Sequence, residues 1–309
     1  MPRMNPVLAS PGAGPSPARG KVAGEMIELR GRAPMWVYQD GSPTAPPIIL
    51  LHGIGATAPL NWLPAFAALS DYFRVIAPDL RGHGRTPRDG GGFTLEGCAD
   101  DVFGLADALG VSRFLAVGYS MGGPIAQLMW RKQPSRIDGL VLAATSRDFR
   151  GAVIDQVWFR TLPLVRAASR LPGCGPVHRA AAAAVATWLT SPKDRDWVAD
   201  ELRRGDVRSL VEAASELGRF SSRAWIHEID VPTSVIVAMA DQLVPPRRQL
   251  KLARAIEHSV AAFVDADHFL AGVESGAFTD VLVHECRAVA RRAALRLEPS
   301  PAYWNMLPT

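Results

Sequence analysis

The chain has 309 residues, of which 48% are hydrophobic and 21% are charged. This balance fits a globular protein with a large core and excludes a mainly disordered chain. The formal net charge is +4, but the basic residues stand in short pairs, so no long basic run indicates binding to nucleic acid. No run of about 18 uncharged apolar residues occurs, so we expect no stable insertion into a membrane.

Three cysteines, Cys98, Cys174 and Cys286, lie far apart in the sequence. Their number and spacing predict neither a disulfide framework nor a zinc site and fit a reducing, cytoplasmic location. We expect them to be small buried hydrophobic residues. No metal-ligand spacing and no phosphate-binding glycine loop with its lysine is present, so we expect no metal and no cofactor.

Residues 1–22 are rich in Pro, Gly, Ala and Ser and lack the apolar core of a signal peptide, which predicts a flexible tail. Residues 25–30 and 34–38 then alternate as edge strands do. Six short apolar runs follow, each typical of a strand that is buried on both faces of a parallel sheet. These runs are residues 47–51, 73–77, 114–117, 139–144, 232–239 and 259–264.

Helical spacing separates the first four of these runs, and a last helix is predicted near residues 277–297. Such alternation predicts an α/β fold with a mostly parallel, doubly wound sheet. Between residues 147 and 227 the strand pattern stops and only helix-like segments occur. The predicted units are a core of residues 23–146 and 228–298, a helical cap of residues 147–227 and a loose C-terminal end of residues 299–309.

The strongest local motif is Gly118-Tyr119-Ser120-Met121-Gly122, between a predicted strand and a predicted helix. A serine at a sharp strand-to-helix turn needs small residues two positions before and after it, because its backbone is strained and other chain passes close by. We interpret Ser120 as a nucleophile, although the pattern is also compatible with a simple glycine-rich turn.

With this motif the chain resembles the α/β-hydrolase superfamily over residues 25–290. The motif at Ser120 is similar to the nucleophile elbow of that family, and His52-Gly53-Ile54-Gly55 is similar to its oxyanion loop. The resemblance implies that the backbone N–H groups of Ile54 and Met121 form the oxyanion hole. The alternative for the second motif is a tight turn. We expect His52 itself to be structural.

The resemblance also implies a base on the loop after the last strand, where His268 stands among the seven histidines. His83 is the main competitor, but it precedes the nucleophile in the chain. Many family members have a glycine before this histidine, whereas this chain has Asp267, which could alter the titration of His268.

The acid of the family follows the preceding strand, where Asp241 stands before Val244-Pro245. The residues before Asp241 depart from the common Gly-x-x-Asp form. Asp148, which follows an earlier strand, is an alternative acid, and Asp241 could instead be a turn residue. The order Ser120, Asp241, His268 is the order that this fold requires. The loop of residues 79–86 also resembles one in the family, and we expect it to brace the site.

A serine at position 120 argues against the haloalkane dehalogenases and epoxide hydrolases of the family, which have aspartate there. We therefore predict a serine hydrolase that cleaves small carboxylic esters of short to medium apolar acyl chain, including monoacylglycerol-like lipids, through an acyl-enzyme. A cofactor-free C–C bond hydrolase or lyase with the same triad is the alternative, and a non-catalytic small-ligand receptor is another. The apolar residues expected in the cap, some of them facing the pocket, are Trp158, Phe159, Leu162, Leu164, Trp188, Leu189, Trp197, Phe220 and Trp225.

Overall fold

The computed structural model describes residues 3–4, 23–88, 90–149, 194–271 and 276–295. Within these ranges nine strands form one sheet in the order β1-β9-β8-β7-β6-β4-β5-β3-β2. The strands are β1 (Arg3–Met4), β2 (Gly24–Ile27), β3 (Met35–Asp40), β4 (Pro47–Leu51), β5 (Arg74–Pro78), β6 (Phe114–Tyr119), β7 (Ile137–Ala143), β8 (Thr233–Ala238) and β9 (Ser259–Val264). All pairings are parallel except those of β3 with β2 and with β5. The predicted mostly parallel sheet is confirmed.

Helices cover both faces of this sheet. Those in the described residues are α1 (Ala58–Ser70), α2 (Leu95–Ala108), α3 (Gly122–Lys132), α4 (Arg195–Arg203), α5 (Val207–Arg219), α6 (Pro246–Ala255) and α7 (Gly276–Ala294). Side chains of α1 and α7 pack on one face, and those of α2, α3 and α6 pack on the other. In β4, Ile48 packs in the apolar cluster with α1 and α7, and Ile49 packs in the cluster on the opposite face with α2, α3 and α6. Successive side chains of a strand point to opposite faces, so a sheet covered on both sides requires continuous apolar runs.

The segment predicted as an N-terminal tail contributes the short strand β1, which pairs in parallel with Val260 and Ala261 of β9. The sequence analysis did not predict this strand, because two residues are too few to show a period. Of the predicted cap, residues 194–227 contain α4 and α5, while residues 150–193 lie outside the described part of the chain. None of the described helices combines the length and the apolar character needed to cross a bilayer.

The turn from β6 into α3 places Ser120 in a left-handed backbone conformation, with φ of 51°. The two glycines that flank this turn, Gly118 and Gly122, have no room for a side chain. A Cβ on Gly118 would lie 2.3 Å from the carbonyl oxygen of Gly122, and one on Gly122 would lie 2.1 Å from that of Leu51. The Ser120 backbone is held by its N–H, which donates to the Ala143 oxygen at 3.0 Å. The turn is therefore built into the sheet.

The contact at Gly122 gives a testable prediction. Alanine is favoured over glycine in a helix by about 1 kcal/mol, but Gly122→Ala would place a methyl group against a backbone carbonyl that cannot move freely. We expect Gly122→Ala to lower the free energy of unfolding by more than about 2 kcal/mol, measured by denaturant titration. Gly90→Ala is the matched control, because a Cβ there meets nothing within 4 Å. Equal stability of the two variants would contradict the prediction.

The loop that follows β5 begins with Asp79, whose side chain is fully buried. Its two carboxylate oxygens accept the backbone N–H groups of Ala58, at 2.8 Å, and of Arg85, at 2.9 Å. Burial raises the pKa of Asp79 to about 6, even though the two N–H donors oppose that shift. The carboxylate thus joins the start of α1 to the loop of residues 79–86, which is the bracing contact expected for this loop.

The raised pKa of Asp79 has a consequence for stability. Between about pH 4 and pH 6 the folded state holds the Asp79 proton more tightly than the unfolded state does, so the contribution of Asp79 to the free energy of unfolding falls as pH rises. Relative to Asp79→Asn, wild-type stability should fall by roughly 2 kcal/mol across this window. Denaturant titrations at pH 4, 5, 6 and 7 would measure it, and a constant difference between the two proteins would contradict it.

Candidate active site

Three loops at the carboxyl ends of β6, β8 and β9 bring together Ser120, Asp241 and His268. The Ser120 Oγ lies 3.0 Å from the Nε2 of His268, and the Nδ1 of His268 lies 2.8 Å from the Oδ2 of Asp241. All three residues are buried, with exposed fractions of 5%, 3% and 8% for Ser120, Asp241 and His268. The structure therefore places the predicted nucleophile, acid and base in one hydrogen-bonded line.

The direction of these hydrogen bonds follows from the chemistry of the groups. An ionised carboxylate only accepts hydrogen bonds, so Nδ1 of His268 carries the ring proton and donates a hydrogen bond to Asp241. Nε2 of His268 then has a free lone pair and accepts the hydroxyl proton of Ser120. This tautomer is the one in which the imidazole can take a proton from the serine.

The Asp241 carboxylate is held on every side. Its Oδ1 accepts the N–H groups of Leu243, at 2.9 Å, and of Val244, at 2.8 Å, and its Oδ2 accepts the Gln249 amide at 3.0 Å. With the bond from His268, these donors fill the acceptor positions of both oxygens. The sequence analysis missed Gln249, because a single polar residue on a helix carries no signal that it is fully buried. The departure from the Gly-x-x-Asp form leaves this arrangement intact.

The predicted oxyanion loop lies directly beside the nucleophile. A Cβ on Gly53 would lie 3.4 Å from the Cβ of Ser120 and 2.9 Å from the Tyr119 ring, so only glycine fits there. The backbone N–H groups of Ile54 and Met121 donate no hydrogen bond to the other described residues. Met121 also stands at the start of α3, where the helix dipole favours negative charge.

Two further buried residues connect the loops of the site, and the sequence analysis missed both roles. Asn61 of α1 accepts the N–H of Gly53 and donates to the carbonyl oxygen of Ala271, both at 2.9 Å. Tyr119 donates its hydroxyl to the backbone oxygen of His268. Burial raises the pKa of Tyr119, so this phenol stays a donor. The oxyanion loop and the histidine loop are thus tied to one another.

The two histidines at residues 52 and 83 are fully buried and neutral. The Nε2 of His52 accepts the N–H of Leu80 at 2.9 Å, and its Nδ1 donates to Gly53. Burial lowers the pKa of His52 to about 3 and that of His83 to about 4. His83 bonds through Nδ1 to the Arg81 oxygen, and Ser120 bonds to His268 instead. His52 has the structural contacts expected of it.

The alternative acid Asp148 and the neighbouring Asp267 both have other partners. Asp148 forms a two-pronged ion pair with Arg223, with bonds of 2.8 and 3.1 Å. Asp267 is exposed and accepts the N–H of Phe269 at 2.8 Å. Among these acids, Asp241 is the one that bonds to the imidazole of His268.

Three of the aromatic cap residues named from the sequence fall in the described part of the chain, and all three pack against other residues. Trp225 stacks on Trp130 with ring centres 6.4 Å apart, and Phe220 lies 6.5 Å from Phe149. Trp197 packs on a small apolar cluster that includes Leu60. The other six residues, Trp158, Phe159, Leu162, Leu164, Trp188 and Leu189, lie outside the described residues.

In the described part of the chain, the metal-ligating residue types and the cysteines form no further reactive site. There, no group of three or more His, Cys, Asp or Glu side chains could hold a metal ion. Cys98 and Cys286 are buried free thiols whose pKa burial raises, as expected for core residues. Cys174 lies outside the described ranges.

Comparison with known proteins agrees with this fold. The sequence profile of the alpha/beta hydrolase fold matches residues 46–274. A putative carbamate hydrolase, RutD, of Agrobacterium fabrum is 30% identical over 236 residues, which are 72% of this chain and 85% of the relative. The 3-oxoadipate enol-lactonase 2 of Acinetobacter baylyi is 25% identical over 82% of this chain and 91% of its own length.

Solved structures show the same likeness. The enol-lactonase from Burkholderia xenovorans superposes with a TM-score of 0.73 and 27% identity, covering 84% of this chain and 99% of that one. A thermophilic esterase from Thermogutta terrifontis superposes with a TM-score of 0.70 and 25% identity, covering 88% and 99%. The profile spans well over half of the chain, and the relatives carry the names of hydrolases. The chain therefore belongs to the α/β-hydrolase family and is a hydrolase of that fold.

Proposed function

We propose that this enzyme is a serine hydrolase that cleaves carboxylic esters through an acyl-enzyme on Ser120. The observation that carries the proposal is the line of hydrogen bonds from Ser120 through His268 to Asp241. The N–H groups of Ile54 and Met121, which donate to none of the other described residues, add to it. A nucleophile, a base, an acid and oxyanion donors in one place are the parts that acyl transfer requires.

In the first half of the proposed reaction, the Ser120 Oγ attacks the ester carbonyl carbon while its proton moves to Nε2 of His268. The carbonyl oxygen becomes an oxyanion, which the N–H groups of Ile54 and Met121 would stabilise. Asp241 stabilises the imidazolium without taking its proton. The C–O bond then breaks, Nε2 returns the proton to the departing alcohol oxygen, and the acyl group stays on Ser120.

In the second half, water takes the place of the alcohol. His268 removes a proton from the water as its oxygen attacks the acyl carbon, and the bond to Ser120 breaks with return of that proton to Oγ. The products are a carboxylic acid and the free serine. The buried position of all three side chains supports this sequence, because electrostatic interactions are stronger away from water.

The substrate class rests on two kinds of support. The matched relatives and structures include proteins named as an enol-lactonase and an esterase, and a lactone is a cyclic ester. Trp197 is half-buried and packs on an apolar cluster that includes Ala56 and Leu60, and Ala56 stands two residues after Ile54 of the oxyanion loop. We propose an ester with a short to medium apolar acyl chain, of the size of a monoacylglycerol-like lipid or smaller.

We also propose a cytoplasmic location. The support is the number and spacing of the cysteines, together with the burial of Cys98 and Cys286 as free thiols.

The nucleophile can be tested by covalent labelling. We expect a fluorophosphonate probe to label the wild-type enzyme and not Ser120→Ala, and p-nitrophenyl butyrate hydrolysis to fall at least about 10³-fold in the variant. Gel fluorescence and the release of p-nitrophenol measure the two effects. Undiminished labelling of Ser120→Ala would remove Ser120 as the nucleophile. Labelling without any ester turnover would favour the C–C bond hydrolase instead.

The assignment of the acid has a matched control in the chain. Asp241→Asn puts an amide beside Nδ1 of His268 and favours the wrong tautomer, so we expect kcat to fall by about 10³- to 10⁴-fold. Asp148→Asn alters the competing carboxylate, which pairs with Arg223, and should change kcat less than about threefold. Steady-state kinetics on p-nitrophenyl butyrate measure both. The reverse pattern would assign the acid to Asp148.

A further inference from the structure

One buried contact joins the predicted cap to the oxyanion loop. Glu201 of α4 is 3% exposed, and its Oε2 accepts the hydroxyl proton of Thr57 at 2.7 Å, across 144 residues of sequence. Its Oε1 accepts Nε of Arg204 at 3.1 Å. A buried carboxylate is costly unless its oxygens are paired. Glu201 is therefore held in one place by both of its partners.

Thr57 is the residue through which this contact reaches the site. It is the N-cap of α1, and its Oγ1 accepts the N–H of Leu60 while it donates to Glu201. The hydroxyl uses its single proton on the carboxylate and a lone pair on the helix, so its orientation is determined. Thr57 stands three residues after Ile54, at the end of the turn in which the Ala56 N–H donates to the Gly53 oxygen.

Apolar residues of the predicted cap also lie close to this turn. Ala56 and Leu60 form a buried cluster with Val198 and Ala199 of α4. A Cβ added to Gly55, which has a φ of 72°, would lie 3.9 Å from the side chain of Leu210 in α5, so this helix also lies near the turn. The turn is thus anchored at its start by the bonds of Gly53 and at its end by the cap.

We propose that Glu201 is a positioning residue of the active site: through Thr57 it fixes the turn that aims the Ile54 N–H, so that the seating of α4 and the formation of the oxyanion hole are coupled. The inference rests on the proposed acyl-transfer function. An N–H that meets charge only in the transition state affects kcat more than substrate binding. A residue that only holds the cap over the substrate would instead affect KM.

The test compares variants that alter one side of the contact at a time. Glu201→Ala removes the acceptor and leaves the Thr57 cap of α1 in place, while Thr57→Val removes the hydroxyl and Thr57→Ser keeps it. Asp200→Ala is the matched control, since Asp200 is an exposed carboxylate on the same helix. Kinetics on p-nitrophenyl butyrate are normalised to the fraction of protein that a fluorophosphonate titrates, which corrects for misfolded molecules.

We expect Glu201→Ala and Thr57→Val each to lower kcat by about 10-fold with KM changed less than about twofold. The double variant should lose no more than Thr57→Val alone, because both substitutions remove the same contact and only Thr57→Val also removes the cap of α1. Thr57→Ser and Asp200→Ala should stay within about twofold of wild type. Phenylboronic acid forms a tetrahedral adduct with a catalytic serine, so its inhibition constant should rise in step with the loss of kcat/KM.

Two outcomes would overturn the proposal while leaving the function intact. One is a raised KM with unchanged kcat in Glu201→Ala, and the other is a double variant whose loss is the product of the two single losses. If Glu201→Ala does not fold, Glu201→Gln keeps the side-chain shape and answers the same question with a smaller loss of kcat. A wild-type enzyme without esterase activity would instead remove the proposed function, and this inference with it.

Discussion

The strained backbone of Ser120 is the constraint on which the rest of the site depends. A left-handed conformation in a residue with a side chain costs on the order of 1 kcal/mol or more and persists only where its surroundings leave no alternative. Here the surroundings are the carbonyls of Leu51 and Gly122, which approach the neighbouring glycines, and the Ala143 oxygen, which accepts the Ser120 N–H. The parallel sheet thus holds the turn, and the turn lifts the hydroxyl toward His268.

Around this turn, hydrogen bonds between buried polar groups fix the position of each loop of the site. Gln249 donates a hydrogen bond to Asp241, and Tyr119 donates one to the backbone of His268. Asn61 connects the oxyanion loop to the loop after His268. Buried polar groups without partners cost free energy, so these pairs favour one arrangement over its alternatives. The Glu201 contact extends the same principle to α4, in the predicted cap.

Sequence reasoning reached the parts of the site that depend on local pattern. Ser120 was found because the sharp turn requires small residues on both sides of the serine, and this requirement is visible within five adjacent residues. Asp241 and His268 were found because the resemblance to the α/β-hydrolase family implies an acid and a base after these two strands, in that order. The His83 and Asp148 alternatives could be separated only by their contacts. Gln249, Asn61 and Glu201 were missed. Each is an ordinary polar residue on a helix, and no local pattern marks its hydrogen-bond partner, which is 8 residues away for Gln249, 210 for Asn61 and 144 for Glu201.

The sequence by itself determined the alternation of strands and helices and the elbow, because apolar periodicity and glycine spacing are local properties, and its resemblance to the α/β-hydrolase family implied the other two candidate side chains and their order. The tertiary structure alone decided which histidine and which carboxylate meet Ser120, which buried polar residues hold them, and how α4 contacts the oxyanion loop. These outcomes depend on the packing of segments up to 210 residues apart, and no local pattern records the position of a distant partner.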